Sequence, residues 1–183
     1  AIDFLTGIQK RNLGNKNVSY IDVKDKKVVV IGGGDTAMDC VRTSVREGAE
    51  SVKCLYRRDE ANMPGSKKEV VNAKEEGVEF VFNVSPKSIK VENDLAVGVE
   101  LLETSMSKSD TSGRQKVVLI EGSEYLEEAD VVILALGFSP EVPSFLKELN
   151  VETNSWGGIV VDANFKTSNK KVYAGGDCQR GAH

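Results

Sequence analysis

The feature that most constrains this chain is an abrupt change of period at residue 32. Val28-Val29-Val30-Ile31 is an unbroken apolar run, the signature of a strand buried on both faces of a parallel sheet. Gly32-Gly33-Gly34 stops the run, and apolar residues then recur at helical spacing over residues 35–48. Ala37, Cys40, Val41, Ser44 and Val45 fall on one stripe, Asp39, Arg42, Arg46 and Glu47 on the other side, and Gly48 is placed to end the helix. A strand that passes through glycine directly into a helix requires a tight turn at the sheet edge. Few folds other than layered α/β ones contain it.

The rest of the chain extends the alternation. Residues 51–56 read as a second strand, 67–76 as a helix ended by Gly77, and 78–82 as a third strand, so the order β-α-β-α-β predicts a parallel sheet with right-handed crossovers. Over residues 88–122 strand-like stretches (89–91, 96–102 and 117–120) are separated by Asn93-Asp94 and by a polar loop at 105–113, which predicts an antiparallel meander. The buried-strand signature returns at 130–136 and is followed by a short helix at 144–149 and apolar triplets at 159–161 and 172–174. The expected fold is α/β: a Rossmann-like nucleotide-binding domain with a parallel sheet plus an antiparallel β-meander.

Composition narrows the chemistry. With 28 Asp+Glu against 24 Lys+Arg the net charge is -4, which argues against a nucleic-acid-binding surface. No apolar run approaches the roughly 18 residues needed to cross a bilayer, so no membrane partner is expected. The only histidine is His183, and Cys40, Cys54 and Cys178 lie far apart, so neither histidine catalysis nor a metal site is expected. The three cysteines read as small buried hydrophobes, and their odd number suits a reducing cytoplasm. The N-terminus lacks a basic region and a long apolar core, and reads as a cut end rather than a signal peptide.

Gly32-Gly33-Gly34-Asp35-Thr36-Ala37 fits G-x-G-x-x-A in the context that gives the pattern meaning, after a strand and opening a helix. Gly32 would make the tight turn, Gly34 would let the backbone approach a pyrophosphate, and Ala37 would let the helix pack closely on the sheet. The helix start adds N–H donors and a partial positive charge. The turn alone leaves open which nucleotide is held. Where NAD and methyl-donor sites usually carry an acidic residue, the second strand ends in Tyr56-Arg57-Arg58. Guanidinium forks match a ribose 2′-phosphate, which favours NADPH; the alternative is that both arginines pair with Asp59 and Glu60. Asp35 and Glu69 read as a helix cap and a solvated side chain, so no catalytic acid or base is assigned.

On these residues a family resemblance becomes specific. The stretch 28–83, with Gly32 to Cys40 and Tyr56-Arg57-Arg58-Asp59-Glu60-Ala61-Asn62-Met63-Pro64-Gly65-Ser66, closely resembles the small (beta) subunit of bacterial glutamate synthase, a family of FAD-dependent, NADPH-using oxidoreductases. The arginine pair is also similar to the NADPH-reading segment of thioredoxin reductases. Those carry a further arginine where this chain has Asn62, so Lys67 or Lys68 is a candidate to complete the grip. Ala135-Leu136-Gly137 resembles the family's A-x-G turn between nucleotide domains, and Val172-Tyr173-Ala174-Gly175-Gly176-Asp177 the motif whose carboxylate meets the ribityl chain of FAD.

The resemblance implies cofactor-binding roles for Ala135, Gly137, Gly176 and Asp177 beside the glycine-turn residues and the arginines. It implies an NADPH-binding domain at 25–149, flanked by crossing segments 1–24 and 150–183 toward an FAD domain that the sequence does not contain. A complete member would add FAD, iron–sulfur clusters in an N-terminal region, a helix after Asp177, and a glutamate synthase large subunit or another electron acceptor as partner. A non-catalytic NADP(H) sensor is the alternative function, with the 105–113 loop and the termini as surfaces for a partner. A methyltransferase is a weaker third, because the arginines replace a ribose-binding carboxylate.

Overall fold

The computed structural model describes residues 1–15, 17–107 and 115–181; most of the polar 105–113 loop, and His183, lie outside them. The chain divides into two compact units, residues 1–136 and 137–183.

In the first unit, helix α1 (Ile2–Asn12) precedes strand β1 (Lys27–Ile31), helix α2 (Asp35–Arg46) and strand β2 (Ser51–Tyr56). A helical turn at Glu60–Asn62 leads to helix α3 (Lys67–Glu75) and strand β3 (Glu79–Phe82). Strands β4 (Val84–Glu92), β5 (Leu95–Met106), β6 (Val117–Leu119), β7 (Tyr125–Glu128) and β8 (Val131–Leu134) follow. The parallel sheet has the order β3-β2-β1-β8, with Val30 level with Cys54 on one side and Ile133 on the other. The chain builds outward from β1 through β2 to β3, then returns to place β8 on β1's opposite side. The glycine turn after β1 therefore lies at the point where the strand order reverses, the crevice in which open α/β sheets hold ligands.

β1 is buried on both faces for a reason the strand pattern does not specify. Val28 and Val30, with Val52, Cys54 and Ile133, pack on one face against Phe4, Ile8, Ala37, Met38, Cys40, Val41, Val70 and Ala73 of the helices. Val29, Ile31 and Leu55 pack on the other face against Val84, Val99 and Leu101 of the antiparallel strands. The second face is thus covered by a sheet where a doubly wound domain uses helices. Burying one of these side chains contributes about 1.5–3 kcal/mol, so substitutions in β1 are felt on both faces of the sheet.

The antiparallel sheet departs from a simple meander. β5 is paired with β4 along one edge, while its other edge is shared by β6, at Thr104–Met106, and β7, at Gly98–Leu101. β7 carries Tyr-Leu-Glu-Glu, too short and polar for the sequence to mark it as a strand. Its glutamates are taken up in ion pairs, Glu128 with Lys27 at 2.6 Å and Glu127 with Lys53 at 2.9 Å.

Two polar assignments change with tertiary context. Asp35 does not cap its own helix: its carboxylate accepts the Ser66 N–H at 2.7 Å, tying the start of α2 to the residue that opens α3. Glu69 is not a free solvated side chain, because Arg42 of α2 forks to Glu69 and, at 2.7 Å, to Glu76. Those contacts raise the Arg42 pKa and hold the Glu76 carboxyl down at about 2, with Arg42 the principal cause and Arg46 a lesser one.

The segment before β1 belongs to the first unit, with Phe4, Ile8 and Val23 all in its core. The second unit has helical turns α4 (Phe145–Glu148) and α5 (Asp177–Arg180). The triplets at 159–161 and 172–174 form only isolated bridges, Thr153 with Ile159 and Lys166 with Tyr173. Few apolar side chains there are buried, Leu146 and Val151 among them. The helical turn at Asp177 corrects the expectation that no helix follows that residue. Cys40 and Cys54 are buried as expected, whereas Cys178 is exposed, since it lies on that short terminal turn rather than beneath a sheet.

Candidate functional site

The site begins where β1 and β2 end side by side. Ile31 and Leu55 are level, and the Gly32 N–H donates to the Leu55 carbonyl at 3.0 Å, so the two strand ends are locked before they diverge. Gly32 adopts φ +148°, and a Cβ there would lie 2.2 Å from the carbonyl oxygen of Ala135. Ala135 is itself fixed by its N–H to the Ile31 carbonyl at 2.8 Å. The glycine is thus demanded by the neighbouring backbone just past β8, within the fold. Gly33 covers the Tyr56 ring, which a Cβ would approach to 2.5 Å.

Gly34 differs from both. It has extended backbone, φ -91° and ψ 179°, that any residue can adopt, and a Cβ built on it would meet nothing within 4 Å. The fold does not need a glycine here. Open space above a bare backbone at a helix start is what a phosphate group requires for close approach. The N–H groups of Ala37 and Met38 turn back to the Gly34 carbonyl, at 2.9 and 3.2 Å, and those of Asp35 and Thr36 have no acceptor among the described residues. Ala37 is fully buried, allowing α2 to lie close on the sheet.

Arg57 and Arg58 follow immediately on β2. Neither forms an ion pair among the described residues, and the Nε of Arg58 is buried without a hydrogen-bond partner. Their acidic neighbours are engaged elsewhere. Asp59 caps the helical turn, accepting from the Asn62 N–H at 2.9 Å and the Asn62 side chain at 2.8 Å, and Glu60 pairs with Lys74 at 2.6 Å. Surface pairing with Asp59 and Glu60 is therefore not what the arginines do. Their positive field is felt at Tyr56, whose phenol is raised by burial against the opposing pull of Arg58 and Arg57. Lys67 and Lys68 are exposed at the start of α3, without ion pairs among the described residues.

The structure also gives contacts to motif residues to which the sequence alone assigned no role. The Gly65 N–H donates to the Gly33 carbonyl at 2.9 Å, and Ser66 to Asp35, so the 63–66 segment closes against the glycine turn. The Tyr56 hydroxyl donates to the Asn62 carbonyl at 2.8 Å, fixing the loop that follows the arginines. Tyr56 and Gly65 both lie in the stretch that carries the family resemblance, but no local pattern marks their partners. Gly32, Gly33, Gly34, Asp35, Thr36, Ala37, Arg57, Arg58 and Ala135 all belong to the first unit. Gly137, at φ +85°, opens the second. In the second unit Gly176, at φ +75° and ψ -149°, caps the helical turn that the exposed Asp177 begins. No cluster of three or more potential metal-ligating side chains occurs among the described residues.

A reversal-point glycine turn on a parallel sheet, with a second sheet backing it, defines a Rossmann-like α/β domain. The family model for pyridine nucleotide-disulphide oxidoreductases matches residues 5–183, and the chain belongs to that family. Over its full length it is 48% identical to the glutamate synthase [NADPH] small chain of Escherichia coli (strain K12), spanning 40% of that protein. It is 46% identical to the glutamate synthase [NADPH] small chain of Azospirillum brasilense, of which it covers 39%. The chain thus spans well under half the length of these relatives. Among solved structures it is similar to the thioredoxin reductase of T. acidophilum, at 26% identity and a TM-score of 0.66 over 87% of this chain and 46% of that one. Mycobacterium tuberculosis FprA, solved in complex with NADPH, shares the fold at 16% identity, with a TM-score of 0.69 over 93% of this chain and 50% of that one.

Proposed function

We propose that this chain is the NADPH-binding part of a flavin-dependent oxidoreductase, a glutamate synthase small subunit or a close relative. The observation that carries the reading is the pair of guanidinium groups with no acidic partner among the described residues, at the end of the strand beside a glycine turn whose Gly34 faces open space. In this reading Gly34 and the N–H groups at the start of α2 receive the pyrophosphate, and Arg57 and Arg58 receive the ribose 2′-phosphate. Bound NADPH supplies a hydride that FAD accepts. The protein's contribution is orientation, so the reading requires no catalytic acid or base.

The domain boundaries, 25–149 between crossing segments 1–24 and 150–183, belong to the same proposal. So do the FAD contacts of Gly176 and Asp177, the turn at Ala135 and Gly137, iron–sulfur clusters elsewhere in the whole protein, a large-subunit electron acceptor and a cytoplasmic location. The chain contains one G-x-G-x-x-A turn, and in this reading its neighbouring arginines assign that turn to NADPH. By itself the chain is therefore expected to bind NADPH without retaining FAD, and not to oxidise NADPH. Calorimetric titration with NADPH and NADH tests the central claim: tighter binding of NADPH is expected, and equal affinity for the two would refute it.

A further inference from the structure

Two consecutive arginines can serve one phosphate only if the chain bends between them, because neighbouring side chains of a continued strand point to opposite faces. The chain does bend at Arg57 and Arg58. Beyond the end of β2 the Arg57 carbonyl finds its donor in the antiparallel sheet, and the Arg58 carbonyl finds one at the turn from β3 into β4. The hydroxyl of Thr104 on β5 donates to the Arg57 carbonyl at 2.9 Å. The N–H of Asn83, just before β4, donates to the Arg58 carbonyl at 3.1 Å. A third bond, from the Thr104 N–H to the Asn83 carbonyl at 2.7 Å, joins the two donors. Asn83 holds φ +56°, a conformation asparagine tolerates better than most residues, and this turns the backbone from β3 into β4 beside the arginines.

Thr104 is only 6% exposed, where valine would serve the strand as well. The buried hydroxyls of Ser44 and Thr167 bond within their own helix or turn, whereas that of Thr104 is given to the backbone of the arginine segment. We infer that Thr104 is a positioning residue that sets the preference for a 2′-phosphorylated nucleotide, acting through the Arg57 carbonyl to hold both arginines in register. This rests on Arg57 and Arg58 being the 2′-phosphate readers. Without the hydroxyl the Arg57 carbonyl turns to water, and the bend loses one of its two clamps. NADH, having no 2′-phosphate, is indifferent to that change.

The test is calorimetric titration of the chain with NADPH and with NADH, for wild type and for Thr104→Val, Thr104→Ala and Thr104→Ser, each with a thermal melt. The Val and Ala variants are expected to lower the NADPH-to-NADH affinity ratio by about three- to tenfold, the effect of one hydrogen bond, with NADH affinity unchanged. Thr104→Ser, which keeps the donor, is expected to keep the ratio. A wild type without NADPH preference would remove the arginine reading itself. A wild type with the preference and folded Val or Ala variants that retain it would overturn the role of Thr104 alone. If the Val variant does not fold, Ala and Ser decide by the same criterion. Failure of both Val and Ala to fold would make Thr104 merely structural and overturn the inference.

Discussion

Gly32 and Gly34 stand two residues apart in one motif, yet the structure assigns their missing side chains to different tasks. Gly32→Ala would place a methyl 2.2 Å from the Ala135 carbonyl oxygen, on a backbone at φ +148° that side chains avoid. Strain of this kind costs about 1–3 kcal/mol and overpacking about 1–3 kcal/mol more. The sum, roughly 2–6 kcal/mol, is a large share of the 5–15 kcal/mol that typically holds a domain together. Gly34→Val meets no atom within 4 Å at an ordinary extended conformation, so only the loss of a tolerated N-cap remains, at most about 1 kcal/mol. Its branched side chain fills the space through which a pyrophosphate would approach, and the Kd for NADPH should rise at least about tenfold. Denaturant unfolding with calorimetric titration separates the two effects. Gly32→Ala should lose stability first, and Gly34→Val should keep stability and lose nucleotide. Undiminished NADPH binding by a folded Gly34→Val variant would refute the placement of the phosphates, and equal destabilisation by both would refute the geometric argument.

Replacing Arg57 and Arg58 together with alanine should weaken NADPH by roughly tenfold or more per lost charge-assisted bond while leaving NADH unchanged, measured by the same titration. Burial pushes the Cys40 thiol up to about 11 and the Cys54 thiol up to about 12, so at pH 8 a thiol reagent should label Cys178 and spare the other two until the protein unfolds, as peptide mass analysis would show. Glu76 is held at about 2 against an ordinary 4.5, so its pairing with Arg42 stabilises the fold above pH 4.5 and is lost as pH falls toward 2. Melts across that range should show the loss, and Glu76→Gln should flatten it. The purified chain should be colourless after incubation with FAD and gel filtration; stoichiometric retention of a yellow flavin that NADPH reduces anaerobically would overturn the expectation that the chain by itself does not retain FAD.

The parallel sheet and its glycine turn were legible in the sequence because their signals are local. Four apolar residues, three glycines and a helical stripe occupy one short window, and period alone separates strand from helix. Arg57 and Arg58 could be located for the same reason, by their distance along the chain from the turn. Their freedom from Asp59 and Glu60 could not, because it depends on Asn62 and Lys74 taking those carboxylates first. Tertiary structure likewise decided that Asp35 serves α3 rather than its own helix, that the second face of β1 is covered by an antiparallel sheet, and that β7 joins β5. It also decided that Thr104 holds the arginine bend, 47 residues away in the chain. Each of these depends on a hydrogen bond, ion pair or buried face whose two halves are far apart in sequence. Such a pairing forms only once the sheet order has brought them together, and no local pattern records it.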